Sequence, residues 1–175
     1  MKKEHLIAFF RSKIFKKITF VLGILFLIFS GFISLRPDIF LRFGILGIFI
    51  FNLFGPGILL IPSLARHMNI LLLAIVSAGG TSLNDSVAWV IGVSGASIIP
   101  KSNNTKNIEN TVKKYGVFAL FFWSLIPFPY DLVGFVAGYL GLSYPRYIIP
   151  TFLGKLLRFL LIGAGVIQIF GKIPI

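Results

Sequence analysis

The sequence predicts an all-α integral membrane protein, and three observations carry that class. Of 175 residues, 57% are hydrophobic and 13% charged, about half the charged share of a soluble domain. Five uncharged or nearly uncharged apolar runs (18–35, 43–64, 70–99, 115–142 and 147–170) are each long enough to enter or cross a bilayer. The charges are 17 Lys and Arg against 5 acids, a net +12, and they crowd before and between those runs. That placement is an orientation signal rather than a nucleic-acid surface.

Other classes fall on composition. There is no Cys, and His5 and His67 are far apart, so no zinc set forms. Glu4, Asp38, Asp85, Glu109 and Asp131 are scattered singly, without the spacing that holds a hard cation or a catalytic pair. No metal, cofactor or enzymatic role is expected, and a membrane phosphotransferase or protease is disfavoured.

Residues 1–17 form a basic arm with Lys2, Lys3, Arg11, Lys13, Lys16 and Lys17, expected on the cytoplasmic side. Phe9, Phe10, Ile14 and Phe15 interleave with these cations, so an amphipathic arm on anionic lipid is a second reading. The run 18–35 is just long enough to span. A signal peptide is disfavoured because the basic region is long and no A-x-A-like site follows.

The run 43–64 is interrupted by Gly55, Pro56 and Gly57, and the run 115–142 by Pro127 and Pro129. Proline removes helix hydrogen bonds, and irregular backbone at membrane depth needs protein or a wet cavity around it. Two such breaks predict re-entrant hairpins around a shared polar site; two kinked crossing helices are the alternative. Charge counting favours the hairpins. With both runs re-entrant, the six arm cations join Lys101, Lys106, Lys113, Lys114 and Arg146 inside, leaving Arg36, Arg42, Arg66 and Lys172 outside. With both runs crossing, the cations split almost evenly and the asymmetry disappears. An offset of 72 residues sets 43–49 against 115–121 and Gly55-Pro56-Gly57 against Pro127-Phe128-Pro129. The fold expected is therefore an inverted repeat of two broken hairpins plus about three spanning helices, with a membrane domain over 40–170.

Charges in lipid mark the candidate site. Asp85, Asp131, Lys155 and Arg158 lie inside apolar runs, where each costs about 2.5–3.5 kcal/mol at a helix centre. Pairing or hydration is required. Lys155 and Arg158 share a helix face at i,i+3, and Asp131 follows the second break, where a half-helix N-terminus favours a carboxylate. The expectation is a cluster of Asp131 with Lys155 and Arg158; a salt bridge that only fixes packing is the plainer reading. Ser77 to Ser86 is unusually small and polar and should face protein or a wet groove, while Gly134-x-x-x-Gly138 is a helix-packing pattern.

Taken as an ordered set, Phe54-Gly55-Pro56-Gly57, Asp85 with Trp89 and Gly92, Lys114-Tyr115-Gly116, Ile126-Pro127-Phe128-Pro129, Ala137-Gly138 and Gly154-Lys155-x-x-Arg158 resemble the DedA superfamily. It is also called the SNARE-associated Golgi or VTT domain, and the resemblance covers about residues 40–165. It implies two opposed re-entrant hairpins and movement of lipid between leaflets. Eukaryotic relatives are regarded as phospholipid scramblases, and bacterial ones are implicated in undecaprenyl phosphate recycling and proton-dependent homeostasis. The chain departs from the bacterial pattern at Asn52, where an acid is usual. Arginines are usual around the second break, where it has Trp123, Pro129 and Asp131. It is most similar to the shorter YqaA-like branch.

The expected function is a lipid transporter or scramblase of a prokaryotic cytoplasmic membrane. Lys155 and Arg158 would attract the phosphate of an anionic phospholipid or undecaprenyl phosphate, Asp131 would orient them, and Asp85 and Asn52 would hydrate the groove. The rivals are a proton- or ion-coupled solute transporter and a non-transporting membrane interaction protein. No nucleic acid partner is expected, and substrate and oligomeric state are not legible.

Overall fold

In the computed structural model the described residues are 37–55, 57–95, 103–127 and 129–172, together with 18, 21, 22, 25 and 28. The basic arm 1–17, most of the run 18–35 and the break residue Pro56 lie outside them; the five described residues of 18–35 are helical. Every regular element among the described residues is helical: α1 (Pro37–Leu41), α2 (Gly44–Phe54), a 3-10 turn (Gly57–Leu59), α3 (Leu60–Leu64), α4 (Ile70–Gly95), α5 (Asn103–Tyr115), α6 (Val117–Leu125), α7 (Tyr130–Tyr139) and α8 (Tyr144–Phe170).

Length separates these helices into two kinds. At 1.5 Å per residue, the 26 residues of α4 and 27 of α8 reach about 40 Å, and both are apolar enough to cross a membrane. Asn69 starts α4 by accepting hydrogen bonds from the backbone N–H groups of Leu71 (2.9 Å) and Leu72 (3.2 Å). Ser143 and Pro145 start α8. The two run antiparallel: Trp89 meets Tyr144 (ring centroids 5.2 Å), Lys155 meets Asp85, and Ile70 lies against Gly163. The arms α2, α6 and α7, of 11, 9 and 10 residues, reach only about 13–17 Å. None can span alone.

Both breaks are where the sequence puts them. Gly55 ends α2 in extended backbone (φ −132°, ψ 176°), and Ile126 ends α6 likewise (φ −83°, ψ 145°). The second run doubles back. At its outer ends, Val117 and Phe118 share a groove with Pro145 and Arg146, and Gly138 lies on Trp89 and Val93. At the break, Ser124 lies on Gly154 and Tyr130 reaches Thr151. Thus α6 runs from the Trp89–Tyr144 end of the α4–α8 pair to its middle, and α7 runs from the middle back to that end. The first run brings Asn52 and Gly57 to Ser77 and Thr81, also mid-helix on α4.

The internal repeat is visible in these contacts. A Cβ on Gly80 would meet Phe49 O and Asn52 Cβ, each at 2.7 Å, and one on Gly154 would meet Phe121 O at 2.5 Å and the Ser124 side chain. Phe49 and Asn52 become Phe121 and Ser124 at the same offset of 72, while Ser77, Gly80 and Thr81 of α4 become Thr151, Gly154 and Lys155 of α8 at 74. Each hairpin arm therefore crosses the next long helix over an equivalent glycine.

Apolar packing sits at the two ends, with polar groups between. One cluster joins α2, α3, the start of α4 and Phe159; the other joins α5, α6, α7 and Tyr147. Gly134 and Gly138 let α7 approach the α4 backbone, as their spacing predicts, and Gly92 does the same from α4. The segment read as the Lys101–Lys114 loop contains α5, which buries Ile108 and Val112 beneath its polar face. Gly116 (φ +57°) makes the turn from α5 into α6, a conformation open to glycine at little strain.

Candidate functional site

The polar layer between the clusters is built from α4 and α8. On α4, Ser77, Thr81 and Asp85 recur every four residues, with Ser82 beside Thr81, and all four are buried. On α8, Tyr147, Thr151, Lys155 and Arg158 follow the same period; Tyr147 and Lys155 reach Asp85, Thr151 turns to Tyr130, and Arg158 to the end of α6. The small-polar run thus faces protein, as expected.

Lys155 Nζ forms an ion pair with Asp85 Oδ2, both nearly enclosed, and donates a hydrogen bond to Thr81 O (3.3 Å). It also lies 5.4 Å from the Tyr130 ring centroid. This corrects the expected partner: Asp85, not Asp131, neutralises Lys155. Asp131 does begin a half-helix, in the first turn of α7, but it is exposed and forms no salt bridge among the described residues. The register of α4 against α8 decides this, because the layer that holds Lys155 also holds Asp85.

Arg158 stands one turn further along α8 and forms no salt bridge among the described residues. Its Nη1 donates to Ile126 O at the second break (3.2 Å), which satisfies a carbonyl freed where α6 ends. Its Nε is enclosed without a hydrogen-bond partner. The Asp85 carboxylate lies within electrostatic range of both Arg158 and Asp131.

At the first break the chemistry is neutral. Asn52 is fully buried; its Nδ2 donates to Ile48 O (2.7 Å) and Ser77 Oγ (3.2 Å), and its Oδ1 packs against Gly57 with no donor. Gly55 and Gly57 flank the turn, and Pro127 and Pro129 flank the second.

Three participants escape sequence reasoning. Tyr130 and Thr151 hydrogen-bond through their hydroxyls (2.7 Å), Tyr147 donates to Asp85 O (3.1 Å), and Thr151 returns to Tyr147 O (2.7 Å). The signal for Tyr147 and Thr151 is the 147-151-155-158 stripe, which places two hydroxyl side chains on the face of both cations; Tyr130, on α7, has none.

The VTT domain family matches residues 17–167. An uncharacterized protein of Haemophilus influenzae is 31% identical over 93 residues, covering 53% of this chain and 59% of that relative. The match thus spans less than two thirds of its length. No solved structure matches.

Proposed function

The chain belongs to the VTT domain (DedA) family, and from that premise we propose that it carries anionic lipid head groups between leaflets through the polar layer of α4 and α8. The family is of a membrane transporter type rather than an enzymatic one. In this reading both broken runs are re-entrant, their tips meet the layer at mid-bilayer, and the 1–17 arm faces the cytoplasm of a prokaryotic cell.

The observation that carries the proposal is Arg158. It is a cation on a helix long enough to cross the membrane, without a salt-bridged carboxylate among the described residues, tethered at one nitrogen and with donors to spare. A phosphate that accepts from those donors would supply the missing counter-charge. Lys155 would act chiefly through Asp85, holding α8 in register, and Asp131, exposed at the second break, would repel a phosphate that strays from Arg158. Asn52 would keep the first tip wettable. The substrates this suits are an anionic phospholipid or a polyprenyl phosphate such as undecaprenyl phosphate.

Reconstituted protein should accelerate leaflet exchange of a labelled anionic phospholipid without an ion gradient. Arg158→Ala should slow it about tenfold or more, the scale of a charged hydrogen bond, and Arg158→Lys should retain part of the rate. Exchange no faster than in protein-free vesicles refutes the proposal. The second reading, a proton- or ion-coupled solute carrier, draws on the buried Asp85 carboxyl and the exposed Asp131. It predicts gradient-driven uptake that Asp131→Asn or Asp85→Asn abolishes, with no lipid exchange.

A further inference from the structure

Away from the polar layer, α6 and α8 enclose a groove of about 600 Å³, within the range of small-molecule sites. Val117, Phe118, Phe121 and Phe122 form one wall, and Ile149, Pro150 and Leu153 the other, with Arg146 at the mouth. Phe118 is 70% exposed and Ile149 58%, so the aromatic and aliphatic surfaces are open to whatever surrounds the helices.

Its length suits the upper part of one acyl chain beneath a head group at Arg146. Arg146 sits in the first turn of α8, at the depth where a crossing helix leaves the hydrocarbon. From there the groove runs inward past Ile149 to Leu153, seven residues or about 10 Å along the helix. Arg146 is exposed, and among the described residues no carboxylate pairs with it. None of the described residues of the first apolar run, Ile18, Val21, Leu22, Leu25 and Ile28, lines the groove. A smaller cleft of about 280 Å³ on the other side of Phe118 and Phe122 has no charged residue in its walls.

We propose that the α6–α8 groove is a docking site for a single anionic phospholipid, its phosphate on Arg146 and one acyl chain along Phe118, Phe122, Ile149 and Leu153. The unpaired cation selects the head group, and the concave apolar wall holds the chain longer than flat helix surface does. The site rests on the membrane reading alone. Lost lipid retention with leaflet exchange intact overturns this site only, and the reverse overturns the exchange only.

Native mass spectrometry of the full chain, released from micelles containing phosphatidylglycerol or phosphatidylcholine, tests it. The expected result is one retained lipid with about fivefold preference for phosphatidylglycerol, the scale of one cation near an anionic surface. Arg146→Gln should equalise the two lipids, while Lys114→Gln should leave the preference in place. Ile149→Trp should plug the groove and reduce retention of both at least fivefold; Leu153→Phe serves if that variant does not fold. The proposal is overturned if Arg146→Gln keeps the preference, if the plugged variant retains lipid undiminished, or if the groove is taken by a second copy, seen as a lipid-free dimer.

Discussion

The two helix breaks share a scaffold and differ in chemistry. Each arm presses two equivalent residues, Phe49 and Asn52 or Phe121 and Ser124, onto a helix glycine, Gly80 or Gly154. At the first break the surrounding groups are an amide and hydroxyls, Asn52, Ser77 and Thr81. At the second the positions related to Ser77 and Thr81 hold Thr151 and Lys155, and Arg158 reaches the break itself. Close backbone approach fixes the frame, because any Cβ at either glycine would overlap the arm. The side chains one turn away are free to diverge: the cations Lys155 and Arg158 stand on the second unit's long helix and the carboxylate Asp85 on the first's.

The sharpest way to break this comparison is to strand the charge. Lys155→Ala should lower stability by about 3–5 kcal/mol by leaving Asp85 enclosed without its cation, whereas Thr81→Ala, the related change on α4, should cost only about 1 kcal/mol. Unfolding in mixed detergent micelles reads both, and the pair Asp85→Leu with Lys155→Met should recover most of the loss. Equal effects at 81 and 155 would show that the ion pair is not what distinguishes the units.

Next come the glycines, where the units should behave alike. Gly80→Ala and Gly154→Ala should each cost about 1–3 kcal/mol through overpacking, since each new Cβ meets a backbone carbonyl, Phe49 O at 2.7 Å or Phe121 O at 2.5 Å. A neutral substitution at either site would remove the close crossing from that hairpin. The smallest effect belongs to Asn52→Ser, which installs the second unit's residue in the first. It removes an amide whose Oδ1 has no donor as well as two hydrogen bonds, so the net loss should stay near 1 kcal/mol, measured by the same unfolding transition.

What was legible in the sequence follows from contrast with lipid. Gly55, Pro127 and Pro129 stand out because they break apolar runs, and Asp85, Lys155 and Arg158 because a charge there is costly. The pairing was not legible. Asp131 and Asp85 are both reasonable partners for Lys155 until the register of α4 against α8 is known, and that register depends on glycine contacts far apart in the chain. Tyr130, Tyr147 and Thr151 were hidden for a different reason: tyrosine and threonine are at home in apolar helices and raise no contrast. The repeat was half visible, since the offset of 72 holds through the hairpins and becomes 74 in the long helices, where α7 and α8 are joined by a turn with Gly141 at φ +73°.

The ion pair also has a history within each molecule. Each hairpin is closed by the helix that follows it directly, α4 for the first and α8 for the second, but Asp85 and Lys155 belong to different units and are 70 residues apart. At ribosomal rates of roughly 5–20 residues per second, Asp85 emerges about 4–14 s before its cation exists. For those seconds the first half of the protein must carry an acid into lipid either protonated or wet, and the arrival of the second half is what allows it to become a buried carboxylate.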